Sequence, residues 1–285
     1  MRSLVIARLV VREVTRRRLA LALLGLTLLA VALSGWGFSR IPTLAPRGVP
    51  IPDAQAKLLT SQLLILVMFM FSNALALSAV FVAAPAISGD VESGIALAML
   101  SRPIARSEYL LGKWLGLAAL VIVYAIGATL VELAVVNAVT GYAPPRPAEL
   151  IAFVSAEALV LLTLALLLST RLPGMVGGVI ALVLFGMAWL GGIVGGIGAV
   201  FENAAIEHVG TATKLLLPTD GLWRGAVWAL EPAAVIAGAS AAGPALAANP
   251  FFAASPPPAP YLVWSALWLT AMLALAVISF RGREV

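Results

Sequence analysis

Three kinds of residue in this chain could carry chemistry: two carboxylates in apolar surroundings, a lone histidine, and a charged stretch punctuated by glycine and proline. Glu132 and Glu157 are the carboxylates that lie well inside apolar runs. A charge at mid-bilayer costs about 2.5–3.5 kcal/mol on insertion scales, so such residues turn toward an interior or a cavity. They are candidates for a translocation path that binds a cationic or polar group. The structural alternative is a protonated or snorkelling carboxyl bonded to Ser155 or Thr163. His208 is the only histidine and there is no cysteine, which excludes disulfides, thiolate chemistry and multi-histidine metal centres. Met68 and Met70 do not share a helical face, so a thioether copper site gains no support. The chain holds no Gly-x-Ser-x-Gly, and an intramembrane enzyme would lack its nucleophile–base pair. Gly112-Lys113 is followed by Trp114 and has Ser107 where a P-loop needs glycine, so it does not cradle ATP phosphates. No catalytic residue, no metal and no directly bound cofactor are expected.

The charged stretch runs from Ala86 to Lys113 and reads AISGDVESGIALAMLSRPIARSEYLLGK. Asp90 is suited to cap a helix start, and Glu92 in the first turn suits the helix dipole. That helix is expected over Val91 to Leu100, with Pro103 stopping it and Lys113 at the interface of the next apolar run. The product is a short amphipathic helix between two apolar runs, either a solvated connector or a lever that presses on a partner.

The elements that must position these residues are set by hydropathy. The 285 residues are 62% hydrophobic and 11% charged, with mean hydropathy +1.05. Soluble domains carry about 25% charged residues, so the solvent for this surface is lipid. A bilayer core needs roughly 20 apolar residues per helix. Such runs occupy Leu19–Phe38, Leu58–Ala84, Leu115–Ala138, Leu150–Leu168, Met175–Val200 and Tyr261–Phe280. The stretch Ala226–Ala248, with Glu231 and Pro232, reads as short helices outside the membrane core. The predicted fold is therefore an all-α integral membrane protein of six transmembrane helices in one domain, residues 1–285. Placing both termini in the cytoplasm puts 12 Lys and Arg inside and 6 outside, which the positive-inside rule favours. The sequence pI of ≈ 10.1 thus reports topology rather than nucleic-acid binding, since the basic residues lie between apolar runs.

Arg16 to Arg18 followed by Leu19–Ser34 imitate a signal peptide, but in residues 1–18 Arg8, Arg12 and Arg16 recur every fourth residue, with Leu4, Val5, Leu9 and Val11 beside them. That pattern is a basic amphipathic helix on the inner leaflet. The first outer loop, Ser39–Lys57, is proline-rich, and residues 201–260 form a long outer region. There Trp223 and Trp228 read as interfacial anchors, and His208 as an exposed loop residue. Gly191, Gly192, Gly195 and Gly196 make a small-residue face for close helix packing, either within the chain or at a dimer interface.

The set Asp90-Val-Glu-Ser-Gly94, Leu100-Ser-Arg-Pro-Ile-Ala-Arg106 and Leu111-Gly-Lys113 resembles the signature of the type-2 permeases of ABC transporters. An amphipathic elbow, six spans and small helices before the last span fit the same plan. The resemblance implies an exporter subunit whose coupling segment, residues 88–113, docks into a separate cytoplasmic ATPase. Asp90, Glu92, Gly94, Arg102, Pro103, Arg106 and Lys113 would form that contact, with Ile95 standing where the family commonly has threonine. ATP and Mg2+ would belong to the ATPase. The other expected partners are a second permease copy or a paralogue and the lipid bilayer, in a prokaryotic cytoplasmic membrane, with no nucleic acid. Two other functions use the same features: a non-transporting membrane partner that passes ATPase motion to an external protein, and an ATPase-independent channel or secondary carrier.

Overall fold

Each apolar run becomes a helix that extends past the run into its polar flanks. A computed structural model describes residues 2–16, 18–44, 51–101, 104–239, 246 and 248–283. The long helices are α2 (Arg18–Phe38), α3 (Asp53–Ala83), α6 (Arg106–Thr140), α7 (Pro147–Ser169), α8 (Gly174–Val200) and α12 (Ala259–Arg281). These six are long and apolar enough to cross a membrane, and no strand occurs among the described residues. The shorter helices are α1 (Arg2–Arg16), α4 (Ser88–Glu92), α5 (Ile95–Leu100), α9 (Ala204–Leu216), α10 (Thr219–Leu230) and α11 (Ala233–Ala239). One end of the bundle carries α1, α4, α5 and the α7–α8 turn. The other carries the α6–α7 loop and α9 to α11, and is called the distal end below.

α1 lies across the start of α6 because glycine lets the two backbones meet. A Cβ on Gly112 would fall 2.7 Å from Ile6 Cβ, and one on Gly116 would fall 2.7 Å from the Ala7 carbonyl oxygen. Ile6 and Val10 are buried in that crossing, while Leu4, Val5 and Leu9 stay exposed. The expected amphipathic helix therefore has two apolar faces, one for α6 and one free to meet lipid.

The distal end departs from the expected arrangement. α9 turns back at Glu202 and packs along the last part of α8 rather than standing clear of the bundle. A Cβ on Gly195 would lie 2.8 Å from Gly210 Cα, and one on Gly198 would lie 2.6 Å from the Glu207 amide nitrogen. The glycine face of α8 thus packs within the chain. Gly191 meets Thr213, Gly192 meets the Asp220 carboxylate, and Gly196 meets Ala248. α10 then returns toward the distal end, with Gly225 against Phe153 of α7 and Gly221 against Tyr261 of α12. Trp223, read from sequence as an anchor, is instead 2% exposed. Its ring sits 5.2 Å from that of Phe69, and its indole N–H donates to the Pro250 carbonyl at 3.1 Å. Trp228 stacks under the Arg146 guanidinium at 3.9 Å, and His208 is exposed on α9 rather than in a loop.

The α9 tip is closed by α12. Trp264 donates its indole N–H to the Leu215 carbonyl at 3.0 Å, and Trp268 donates to the Leu216 carbonyl at 2.8 Å. These carbonyls have no later turn of α9 to take them.

The backbone contact at Gly195 yields a test. Gly195→Ala forces a methyl against main chain that has no flexible end to yield, and should cost about 1–3 kcal/mol. Gly127→Ala, where nothing lies within 4 Å, should be neutral. Thermal unfolding of the two variants in detergent compares them directly.

Candidate functional site

The segment joining α3 to α6 is held by side chains from α6 and α7. Ser169 at the end of α7 accepts hydrogen bonds from the Ile87 and Ser88 amides, each at 3.1 Å. That closes the start of α4 ahead of Asp90, and the Ser93 amide, which Asp90 would cap, donates to the Gly89 carbonyl at 3.0 Å. Asp90 instead sits within α4, in a short helix ended by Gly94 at φ 75°. The expected single helix from Val91 to Leu100 is therefore two helices, α4 and α5. The left-handed conformation at Gly94 is open to glycine at little steric cost.

The Asp90 carboxylate turns inward. It pairs with the Lys113 ammonium and accepts the Tyr109 hydroxyl proton, with side chains only 11% exposed for Lys113 and 15% for Asp90. Lys113 also lies over the Tyr109 ring at 5.7 Å, and that ring stacks on Phe280 of α12 at 6.0 Å. Asp90 and Lys113 thus tie the segment to α6 and are not displayed for a partner. Arg106 donates to the main-chain carbonyls of Arg281, at 2.8 Å, and Arg283. Arg283 in turn donates to the carbonyls of Thr170 at 2.8 Å and Ser169 at 3.3 Å. Arg106 is therefore a clasp on the end of α12. Arg102 and Pro103 lie outside the described residues.

What the segment displays is different. Glu92, Ser93 and Gly94 are exposed, followed by Ile95 at 52% and Leu97 at 60%. The apolar pair on α5 stands beyond the ion pair that anchors α4. Sequence reasoning noted Ile95 only as a departure from the family pattern and passed over Leu97, because apolar residues are common in this chain. Their signal was position: they immediately follow the one glycine of the stretch that takes a left-handed turn.

The two deep carboxylates are not brought together by any hydrogen bond. Glu132 accepts the Ser34 hydroxyl of α2 at 2.8 and 3.0 Å, and Glu157 accepts the Ser72 hydroxyl of α3 at 2.5 Å. Both are buried, and each joins its helix to a different neighbour. The expected alternative partners differ: the Thr163 hydroxyl receives the Trp114 indole proton at 2.9 Å, and the Ser155 hydroxyl has no hydrogen-bond partner.

A second charged group sits at the distal end, unread from sequence. Asp220 is buried in the first turn of α10, with Lys214 at 3.6 Å and Arg224 at 3.4 Å from one carboxylate oxygen. Close by in sequence, Glu231 is fully buried at the end of α10. It accepts from the Gln62 side-chain amide at 3.2 Å, and burial pushes its carboxyl up to about 7. The signal for the first group was the i, i+4 pairing of Asp220 with Arg224 in an otherwise apolar stretch.

The model of one protein family, described as ABC-2 family transporter protein, matches residues 51–285. Comparison with curated proteins gives no match.

The buried tie at Asp90 predicts a stability effect. Asp90→Asn leaves Lys113 without its partner and should destabilise the fold by about 3 kcal/mol. Joined with Lys113→Gln, the loss should be clearly smaller than the sum of the two single changes. Denaturation of the four proteins in one detergent completes the cycle.

Proposed function

Because this chain belongs to the ABC-2 transporter family, we propose that it is the membrane-spanning permease of an ATP-driven exporter, with α4 and α5 docking on a separate ATPase. Family membership and six apolar helices make it a multi-pass membrane subunit. The docking reading is carried by one observation: the exposed pair Ile95 and Leu97 stands on a segment locked to α6 by Asp90 and Lys113. A protruding apolar pair fills a groove on a partner, and a rigid base passes the partner's displacement into the spans rather than absorbing it.

In this reading the α4–α5 end is cytoplasmic, the membrane is a prokaryotic cytoplasmic membrane, and the permease works as a dimer with a second copy or a paralogue. ATP and Mg2+ sit in the ATPase, consistent with the missing P-loop. Glu92 supplies a polar contact at the edge of the apolar pair. Arg106 and Lys113 keep the segment in place without meeting the ATPase. Glu132 and Glu157 serve as ties between helices, each through a serine.

Docking is tested by co-purification with candidate cytoplasmic ATPases. Ile95→Asp and Leu97→Asp each bury a charge in the proposed groove, and recovery of the ATPase should fall at least about tenfold. Both positions are exposed, so the permease itself should keep its melting temperature. Wild-type chain that captures no ATPase overturns the coupling reading.

The deep carboxylates give a separate test. Glutamine keeps an acceptor for the serine hydroxyl, so Glu132→Gln and Glu157→Gln should leave ATP-driven flux within about twofold of wild type. Loss of flux with the ATPase still bound would instead put an ionised carboxylate on the translocation path.

A further inference from the structure

Four arginines from three separate parts of the chain meet at the end of α12. Arg106 opens α6, Arg171 lies in the α7–α8 turn, and Arg281 and Arg283 close α12. Hydrogen bonds fix the meeting. Arg106 reaches the carbonyls of Arg281 and Arg283, and Arg283 reaches those of Thr170 and Ser169. Arg171 donates from Nε to the Ser279 hydroxyl at 3.0 Å, and a Cβ on Gly282 would fall 3.2 Å from its Nη2. Every one of these acceptors is an uncharged carbonyl or hydroxyl.

Among the described residues, none of the four guanidiniums is paired with a carboxylate. In the adjoining segment Asp90 is taken by Lys113, and Glu108 accepts the Ala105 amide at 3.1 Å. Arg106 and Arg283 each spend one terminal nitrogen and Arg171 its Nε, so most of the N–H donors of each planar fork are left over. Like charges held together repel, and a bound anion offsets that repulsion. Basic residues are expected at one side of any membrane protein. This cluster differs in drawing them from three distant positions onto one helix end.

The surroundings say which anion fits. Arg171 and Arg281 are exposed. One turn or two toward the bundle centre stand exposed apolar side chains, Leu275 and Ile278 on α12 and Met175 and Val176 on α8. Both helices are apolar enough to span a membrane, so the cluster lies where they leave lipid. A soluble anion gains nothing from that apolar surface, whereas a phospholipid meets it and the arginines with one molecule.

We propose that Arg106, Arg171, Arg281 and Arg283 bind the phosphate of an anionic phospholipid, whose acyl chains lie along the exposed faces of α8 and α12. The phosphate bridges the end of α12, the α7–α8 turn and the start of α6. The site requires only the membrane-spanning bundle and stands apart from ATPase docking.

The experiment uses the full-length chain without any ATPase, in nanodiscs of equal phosphatidylglycerol and phosphatidylcholine. Lipid retained after detergent extraction is measured by native mass spectrometry. Wild type should hold phosphatidylglycerol over phosphatidylcholine by at least about fivefold. Arg171→Gln with Arg281→Gln should bring that ratio within about twofold of the bulk mixture. Lysine at the same two positions keeps the charge and should keep most of the preference. Arg8→Gln with Arg12→Gln, on the exposed face of α1, removes equal charge from the same end and should leave the ratio unchanged. Arg281→Gln alone breaks no hydrogen bond to the described residues, so it folds whatever the double variant does, and should lower the ratio by at least about twofold. A wild-type ratio equal to the bulk mixture overturns the proposal, as does equal loss from the α1 pair, which would mean diffuse attraction. Unchanged lipid preference in the cluster variants, with ATPase recovery lost on co-purification, would give the arginines to an acidic protein partner and overturn it as well.

Discussion

A helix end leaves carbonyls or amides without a partner in its own helix, and the joints of this bundle answer that constraint. At the distal end, α9 stops beside α12, and the indoles of Trp264 and Trp268 take the carbonyls of Leu215 and Leu216. At the other end, Ser169 takes the first amides of α4, and Arg106 and Arg283 take the last carbonyls of α12 and α7. Each closure comes from a different helix than the one it completes. The helix ends are thus also the joints of the fold, and a helix cannot slide without exposing the end it closes.

The α4–α5 segment shows how the same constraint sorts residues of like charge into unlike roles. Asp90 and Glu92 are two residues apart, yet one is buried against Lys113 and the other is exposed. Taking an ion pair out of water is costly, and such a pair is weak evidence for stability as such. Its effect here is registry. With Tyr109 hydrogen-bonded to the same carboxylate and stacked on Phe280, the pair fixes α4 against both α6 and α12. Gly94 then lets α5 leave in a new direction, and Ile95 and Leu97 face outward as a consequence.

The spans were legible because hydropathy alone decides them: a run of roughly 20 apolar residues has no other stable solution. The glycine face of α8 was legible as a packing face, but its partner was not, since small residues admit any close backbone. Asp90 was read as a cap because acidic residues at helix starts are good caps, and the reading failed because the helix starts earlier, where Ser169 takes the amides of Ile87 and Ser88. Sequence likewise shows an arginine at position 106 but not that its guanidinium reaches the end of the last helix. Trp223 and Trp268 share a composition signal with interfacial tryptophans, and only the tertiary fold separates a core ring or a carbonyl clasp from an anchor. The roles of Ser169, Arg106, Trp223 and Trp268 are set by partners distant in the chain, whereas the Asp220 group is local in sequence and its signal was available.

Those distant partners meet on α12. Arg106, at the end of the α4–α5 segment, grips the main chain of its last turn, while Trp264 and Trp268 near its start grip the tip of α9. α12 is a continuous helix from Ala259 to Arg281, and its one proline, Pro260, lies in the first turn, so none bends it between those grips. A stiff rod fastened at both ends passes on displacement along its axis instead of storing it. Movement imposed on the α4–α5 segment therefore has a physical route to the α9–α10 hairpin.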